Sequence, residues 1–272
     1  MTAPEPAGTG AAGRSGPATG FARLPRVGYL LIMDQQADPN AAIWQSEHMV
    51  RAWAAEAERR ERDRAPQRRL MAVLLPFSEQ DEFTFLDLGA GTGAASRAIL
   101  RLHPRSTAIL ADFSAEMMRA GEREMQPFAG RYSYVEFDLS TGQWPAAIPA
   151  AVDAVVTSMC VHHLPDGRKR GLFAEIYDHL VPGGWYVNYD PVRAEDRLVE
   201  ATWERVNDLD HPEAAHQRAH RTAEEQARYA GHVRHMITLA RQLDYLRSAG
   251  FRGVDVYWKH LEHVIYAGCR PG

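Results

Sequence analysis

Between residues 84 and 190 the chain alternates short apolar runs with segments in which apolar residues recur at helical spacing. Such an alternation predicts an α/β fold, with parallel strands joined by right-handed helical crossovers. The predicted strands are the apolar run from Phe85, then Ser106–Ala111, Tyr132–Phe137, Val152–Met159 and Trp185–Tyr189. Helices are predicted over Ala94–Leu102 and over Asp166–Leu180, and the inner face of the second carries Leu172, Ile176 and Leu180.

Residues outside this alternation divide the chain into further parts. Residues 1–22 are rich in alanine, glycine and proline and predict a disordered tail, and 23–80 predict a helical N-terminal extension that Pro66 interrupts. The core is expected over 81–272, with residues 191–235 as an inserted helical lid that is too long for a simple connection. A helix over Ile237–Ala249 and a hairpin of Val254–His260 with His263–Gly268 complete the prediction.

Composition supports one globular core and gives little else. The 272 residues are 45% hydrophobic and 24% charged, and the net charge of −4 gives no electrostatic reason to expect nucleic acid as a partner. No apolar run approaches the ~20 residues that span a bilayer, so no membrane association is expected. Two cysteines, Cys160 and Cys269, favour buried thiols in a reducing cytoplasm. The oligomeric state stays open, with a homodimer among the options.

The most informative local pattern is Asp87-Leu88-Gly89-Ala90-Gly91-Thr92-Gly93, in which an apolar run breaks into alternate glycines before a predicted helix. Glycines at a strand-to-helix turn let backbone N–H groups approach a ligand closely. Asp112 follows about twenty residues later at the end of the next predicted strand, where an acid binds a ribose. Gly89-x-Gly91-x-x-Ala94 also fits the dinucleotide fingerprint, so this pattern alone predicts a nucleoside and does not name it.

Further motifs in the same order resemble the class I S-adenosylmethionine-dependent methyltransferases. They are Asp87 before the glycines, Asp112-Phe113-Ser114-x-x-Met117, Asp138-Leu139, the turn Val181-Pro182-Gly183-Gly184, and the ending Ala249-Gly250-Phe251 to Trp258. The resemblance covers roughly residues 84–190 and 236–272. It implies a doubly wound, mostly parallel seven-stranded sheet, whose last strand inserts antiparallel between its neighbours, with S-adenosylmethionine as cofactor.

The cofactor's parts require different protein groups. Asp112 has two acceptor oxygens for the ribose diol, and the resemblance assigns Asp138 to the adenine amino group. Asp87 is suited to the ammonium group of the methionine moiety, and an acid in that place would repel a dinucleotide pyrophosphate. The remaining predicted contacts are the loop residues Gly89, Ala90, Gly91 and Gly93, the ring-wall residues Phe113, Met117 and Leu139, and Ser158 after the fourth strand.

Methyl transfer from a sulfonium is an in-line displacement, which mainly needs alignment and exclusion of water. A general base is needed when the acceptor atom carries a proton, and His162, His163 and Asp190 are the candidates because they follow predicted strands. The pairs His216/His220 and His232/His235 have the spacing of a shared helix face. Because twelve histidines produce such pairs by chance, no metal is predicted.

The sequence therefore predicts a cytoplasmic methyltransferase that acts at oxygen, nitrogen or carbon of a small organic acceptor. A transferase that modifies tRNA or another macromolecule is the first alternative, and it requires a basic face at the mouth of the site. The second is an NAD-dependent oxidoreductase, for which no second catalytic domain is recognisable. The third is a non-catalytic S-adenosylmethionine-binding module.

Overall fold

The computed structural model describes residues 57–272, with side chains from residue 62 onward except those at 214, 217, 224 and 228. The predicted tail and residues 23–56 of the predicted N-terminal extension therefore lie outside the described residues. Among the described helices, none combines the length and the apolar character that a bilayer crossing requires.

The core is a seven-stranded sheet with the strand order β3-β2-β1-β4-β5-β7-β6. β1 to β5 are parallel, whereas β7 runs antiparallel between β5 and β6. The strands are β1 (Thr84–Leu88), β2 (Thr107–Asp112), β3 (Tyr132–Glu136), β4 (Val152–Ser158), β5 (Leu180–Pro191), β6 (Arg252–His260) and β7 (His263–Cys269). This confirms the predicted doubly wound α/β fold, including the antiparallel insertion of the last strand.

The helices are α1 (Ala57–Leu74), α2 (Ala94–Leu102), α3 (Ala115–Met125), α4 (Asp166–His179), α5 (Arg197–Asp210), α6 (Pro212–Ala219), α7 (Ala223–Val233) and α8 (Leu239–Ala249). Buried apolar side chains form two clusters, one including Leu172, Phe173 and Ile176 of α4 and the other including Met71, Ala72 and Ile99 of α1 and α2. The order of the strands reverses between β1 and β4. In open α/β sheets ligands bind beyond the carboxyl ends of the strands at such a reversal.

Two local predictions are wrong. α1 passes through Pro66 without interruption. Pro66 is exposed, so water can replace the helical hydrogen bond that proline cannot donate, and the buried Met71 and Ala72 anchor the rest of the helix. Residues 181–184 are not a separate turn but part of β5, where the pairing with β4 shifts register between Val152 and Ala154.

Residues 191–235, where the sequence predicts an inserted lid, contain α5, α6 and α7. Pro212 begins α6, and a capping box begins α7, because Thr222 and Glu225 bond each other's backbone N–H groups. α8 begins at its N-cap Thr238 and ends at Gly250, whose φ of 108° is left-handed. We call residues 191–235 the lid.

A chain of buried hydrogen bonds links β4, β5, β7 and α8. The Thr157 hydroxyl bonds Tyr186 at 2.8 Å and donates to Asn188 Oδ1 at 2.6 Å. Asn188 Nδ2 donates to the Tyr266 hydroxyl at 2.6 Å, which donates to Gln242 Oε1 at 2.6 Å. Each of these buried polar groups depends on its neighbour in the chain.

We expect Tyr266→Phe to destabilise the protein by about 1–3 kcal/mol, because it leaves Asn188 Nδ2 and Gln242 Oε1 without their partners in a dry interior. Urea denaturation measures the free energy of unfolding. Tyr257→Phe removes a hydroxyl from a tyrosine of β6 that is 39% exposed and is the matched control, for which little change is expected. Equal effects in the two variants would contradict the importance of the buried chain.

Candidate active site

The glycine loop between β1 and α2 is shaped by backbone conformation and by lack of space. Gly89, Gly91 and Gly93 have φ values of 69°, 55° and 76°, which L side chains rarely adopt. A Cβ at Gly89 would lie 2.0 Å from the Cys160 sulfur, so only glycine fits there. At Gly93 the nearest atoms belong to the core residues Met125 and Leu110, and this glycine does not line the cavity described below. The loop therefore presents its backbone at residues 89–92.

Asp112, at the end of β2, holds this loop in place. Its Oδ2 accepts the Gly91 N–H at 2.7 Å, and its Oδ1 accepts the Ser114 N–H at 2.9 Å. Burial raises the pKa of this carboxyl, whereas the backbone donors at Ser114 and Gly91 oppose that shift. Each carboxylate oxygen has a second lone pair, so Asp112 retains acceptor capacity toward the cavity that it lines.

Asp87, the last polar group of β1, is a buried carboxyl with one oxygen satisfied. Its Oδ2 accepts the Ser96 hydroxyl at 2.7 Å, and its Oδ1 has no hydrogen-bond partner among the described residues. Burial raises the pKa of Asp87 to about 7, although the bond from Ser96 opposes the shift. A carboxyl in this state favours a cationic donor, which would satisfy the second oxygen and stabilise the ionised form.

The loop and Asp112 border a cavity of about 470 Å³ at the carboxyl ends of β1, β2 and β4. Of the predicted cofactor residues, all but Gly93 line it: Asp87, Gly89, Ala90, Gly91, Asp112, Phe113, Met117, Asp138, Leu139 and Ser158. Asp138 lies exposed at the rim, where its Oδ1 accepts the Ser140 N–H at 2.8 Å. The structure thus brings together residues from four separate parts of the sequence.

A further wall of the cavity carries His162, on a short 3₁₀ turn after β4, and His163 beside it. His162 Nδ1 lies 2.7 Å from Asp190 Oδ1 at the end of β5. Of the three predicted catalytic groups, His162 and His163 line the cavity and Asp190 does not. Asp190 instead contacts the side of the His162 ring that carries Nδ1. Burial lowers the pKa of His162 well below its usual value and raises that of Asp190 to about 7.

Lys169 of α4 braces this wall from inside the protein. Its buried ammonium group donates to the carbonyl oxygens of His162 at 3.3 Å, of Leu164, and of His235 at 2.6 Å. Burial lowers the pKa of Lys169 to about 8, although the charge of Asp190 opposes the shift. Lys169 therefore ties the histidine-bearing turn to the chain that leaves the lid.

Several cavity residues were not predicted from the sequence. Arg64 and Arg68 of α1 line the cavity, although neither was among the predicted site residues. Their spacing of four residues puts them on one helix face, which is the signal that was available. His232 of the lid also lines the cavity, and its ring lies next to that of His162. The sequence pattern predicts a shared helix face with His235 and does not predict this contact with His162. Cys160 lines it too, with a thiol pKa that burial raises well above its usual value.

Comparison with known proteins agrees with this geometry. Residues 85–184 match the family model described as a methyltransferase domain. Over these residues the sequence is therefore that of a methyltransferase domain. Acetylserotonin O-methyltransferase of Gallus gallus is 30% identical over 125 residues, which are 46% of this chain and 35% of that protein. Trans-aconitate 2-methyltransferase of Azoarcus sp. (strain BH72) is 31% identical over 124 residues, 46% of this chain and 44% of that protein.

The chain thus spans less than half the length of these two curated relatives.

Solved structures resemble this chain in fold. Human N-acetylserotonin methyltransferase in complex with S-adenosylmethionine has a TM-score of 0.59 and 18% identity, over 86% of this chain and 59% of that one. An O-methyltransferase family protein from Burkholderia thailandensis has a TM-score of 0.63 and 18% identity, over 85% of this chain and 67% of that one.

The raised pKa of Asp87 predicts that Asp87→Asn stabilises the methyltransferase domain without ligand at alkaline pH. A carboxyl whose pKa rises on folding, here from 3.8 to about 7, destabilises the folded state progressively as pH rises between those values. The variant lacks this cost, so its advantage should grow from pH 4 to pH 7 and then level off, on the order of 4 kcal/mol at about 1.4 kcal/mol per pKa unit.

Denaturant unfolding at a series of pH values measures this difference. Asp138→Asn removes a carboxylate from the exposed rim of the same cavity and is the control, without the stabilisation expected for Asp87→Asn. A difference between Asp87→Asn and wild type that is constant with pH would contradict the assigned burial cost.

Proposed function

We propose that this protein transfers the methyl group of S-adenosylmethionine to a small organic acceptor. The observation that carries the proposal is one cavity lined by two chemically different sets of residues. The first set, the cofactor wall, consists of the glycine loop, Asp87 and Asp112, and the second, the acceptor wall, contains His162 and His163. A cofactor held by the first wall would present its methyl group to an acceptor held against the second.

The cofactor wall supports S-adenosylmethionine rather than a dinucleotide. Asp112 offers two oxygens to a ribose diol, and Asp87 offers an unsatisfied oxygen to an ammonium group. S-adenosylmethionine has both groups and is a cation at its sulfonium. A pyrophosphate in the same place would bring its negative charge against the buried Asp87 carboxyl. Phe113, Met117 and Leu139 supply apolar contacts for an adenine ring.

A small acceptor is supported by the size of the cavity and by the relatives. The cavity, at about 470 Å³, lies within the range of small-molecule sites. Two relatives have names that denote methyl transfer to acetylserotonin and to trans-aconitate, both small molecules. The two free thiols, Cys160 and Cys269, agree with work in a reducing cytoplasm.

We assign activation of the acceptor to His162, with Asp190 as its positioning residue. Asp190 fixes the ring through Nδ1, which leaves Nε2 for contact with the acceptor. His163 lies beside it in the same wall, with 3.9 Å between the ring centroids. An acceptor atom that carries a proton and is hydrogen-bonded to Nε2 would transfer that proton to the nitrogen and become a better nucleophile, while the apolar walls exclude water from the sulfonium.

The cofactor assignment predicts which of three adenosine-containing compounds bind. Calorimetric titration of S-adenosylmethionine and of its demethylated product should give micromolar dissociation constants, and NAD should not bind. Asp112→Ala should weaken both by on the order of 1.5–3 kcal/mol, because the ribose diol loses its acceptor. Asp178→Ala, an exposed carboxylate of α4, is the control. Binding of NAD alone would overturn the proposal.

The acceptor assignment predicts a separation of binding from turnover. A panel of small hydroxyl, amine and carboxylic compounds, with total tRNA as a macromolecular comparison, should identify an acceptor through release of demethylated cofactor. With that acceptor His162→Ala should lower kcat by roughly 10²-fold or more. The dissociation constant for S-adenosylmethionine should stay within about threefold of wild type. An unchanged kcat would remove His162 from the mechanism, and turnover with tRNA alone would replace the small acceptor by a macromolecule.

A further inference from the structure

Within residues 57–272 three imidazole rings converge on the acceptor side of the cavity. His162 and His163 come from the turn after β4, and His232 comes from the last turn of α7 in the lid. The ring centroids of His162 and His232 are 4.7 Å apart, and those of His163 and His232 are 5.5 Å apart. One ring nitrogen from each histidine lies within 4.8 Å of the other two. This trio, His162, His163 and His232, is the histidine cluster.

The buried member of the cluster has an unsatisfied atom. His162 is 1% exposed, and its Nε2 has no hydrogen-bond partner among the described residues. Its Nδ1 is held by Asp190 at 2.7 Å. Buried polar atoms are almost always satisfied, so Nε2 requires a partner that the described residues do not supply. A histidine fixed by a carboxylate through one nitrogen, with the other presented to a cavity, is the usual arrangement of a metal-bound histidine.

We propose that the histidine cluster binds a divalent transition metal ion such as Zn²⁺. Three imidazole nitrogens are a common protein ligand set for zinc, and they leave a fourth position for water or substrate. At Zn–N distances of about 2.0–2.1 Å, tetrahedral ligand atoms lie roughly 3.4 Å apart. The nitrogens, now within 4.8 Å, would have to approach by on the order of 1 Å.

Charges around the cluster support this assignment. Asp190, directly behind His162, supplies a carboxylate that offsets part of the charge of a cation at Nε2. Lys169 opposes it as a nearby cation, but its ammonium group is turned to the carbonyl oxygens of His162, Leu164 and His235. These bonds fix the turn that carries two of the ligands and the chain three residues beyond the third. The backbone that carries the histidine cluster is therefore held in place by Lys169.

The position of the ion has a consequence for chemistry that rests on the proposed function. The cluster lines the same cavity as the cofactor residues, so the open coordination position would face the acceptor. With the ion in place, His162 Nε2 would bind the ion and would no longer take the proton of the acceptor itself. An acceptor oxygen or nitrogen bound to the ion would instead lose its proton to water at lower cost, which is the Lewis-acid contribution of a bound cation. Because His232 belongs to the lid, the ion would also join the lid to the core.

The test is binding of Zn²⁺ alone to the untagged full chain after treatment with a chelator. Calorimetry should give about one equivalent with a micromolar or tighter dissociation constant, and Co²⁺ should give the visible absorption of a low-symmetry nitrogen-bound site. His232→Ala, which removes a half-buried ligand, should weaken binding at least about tenfold. Asp190→Asn, which keeps all three ligands, should weaken it by about 10- to 100-fold.

The double variant His216→Ala/His220→Ala is the matched control, since it removes a lid pair whose ring centroids are 4.1 Å apart. Its affinity should stay within about twofold of wild type. Absence of stoichiometric Zn²⁺ binding, full affinity in His232→Ala, or loss of binding in the control would each overturn the proposal. Titration of S-adenosylmethionine into the same metal-free preparations separates the two proposals, because cofactor binding without Zn²⁺ binding removes only the metal site.

Discussion

The hydrogen bond from the Gly91 N–H to the Asp112 carboxylate joins the two strand ends on which the cofactor wall depends. It works together with the Gly89 and Ala90 N–H groups, which both donate to the Ala111 carbonyl at 2.8 and 3.1 Å. Three consecutive residues of the loop are thus fixed to the end of β2. The same carboxylate that shapes the loop also lines the cavity, so under the proposed function folding and ligand recognition would use one group.

A different constraint shapes the acceptor wall, namely the burial of ionisable groups. His162, Lys169 and Asp190 are each no more than 1% exposed. Burying charge is costly unless partners compensate, and here Asp190 contacts the imidazole while Lys169 is bound by three carbonyl groups. The free-energy cost of burying these ionisable groups is concentrated where β4, β5 and the lid meet. Strained or expensive polar groups commonly persist at functional sites, which agrees with the role proposed for this wall.

The sequence predicted those features that local chemistry determines. The glycines of the β1–α2 loop, Asp112 at the end of β2 and the seven-stranded order followed from spacing and from a family resemblance. Gly93 was assigned to the cofactor although it faces Met125, because sequence spacing does not tell which side of a turn meets the core. The continuity of α1 through Pro66 was missed because packing outweighed the local cost of proline.

Contacts between distant elements were beyond the reach of sequence patterns. His232 has His235 as its neighbour at helical spacing, yet its ring lies against His162, seventy residues earlier in the chain. Asp190 was predicted as a candidate base, and the structure puts it against His162 and outside the cavity lining, because β5 is central and buried at that point. Long-range packing of this kind depends on how the lid returns to the sheet, which no periodicity records.

The most direct test of the account is a crystal structure of the full chain with S-adenosylhomocysteine, the demethylated product. We expect the ribose hydroxyls within hydrogen-bond distance of Asp112, the amino group at Asp87, and the sulfur directed to the wall that carries His162. A ligand that lies outside this cavity, or a ribose that leaves Asp112 with its backbone bonds alone, would contradict the central claim.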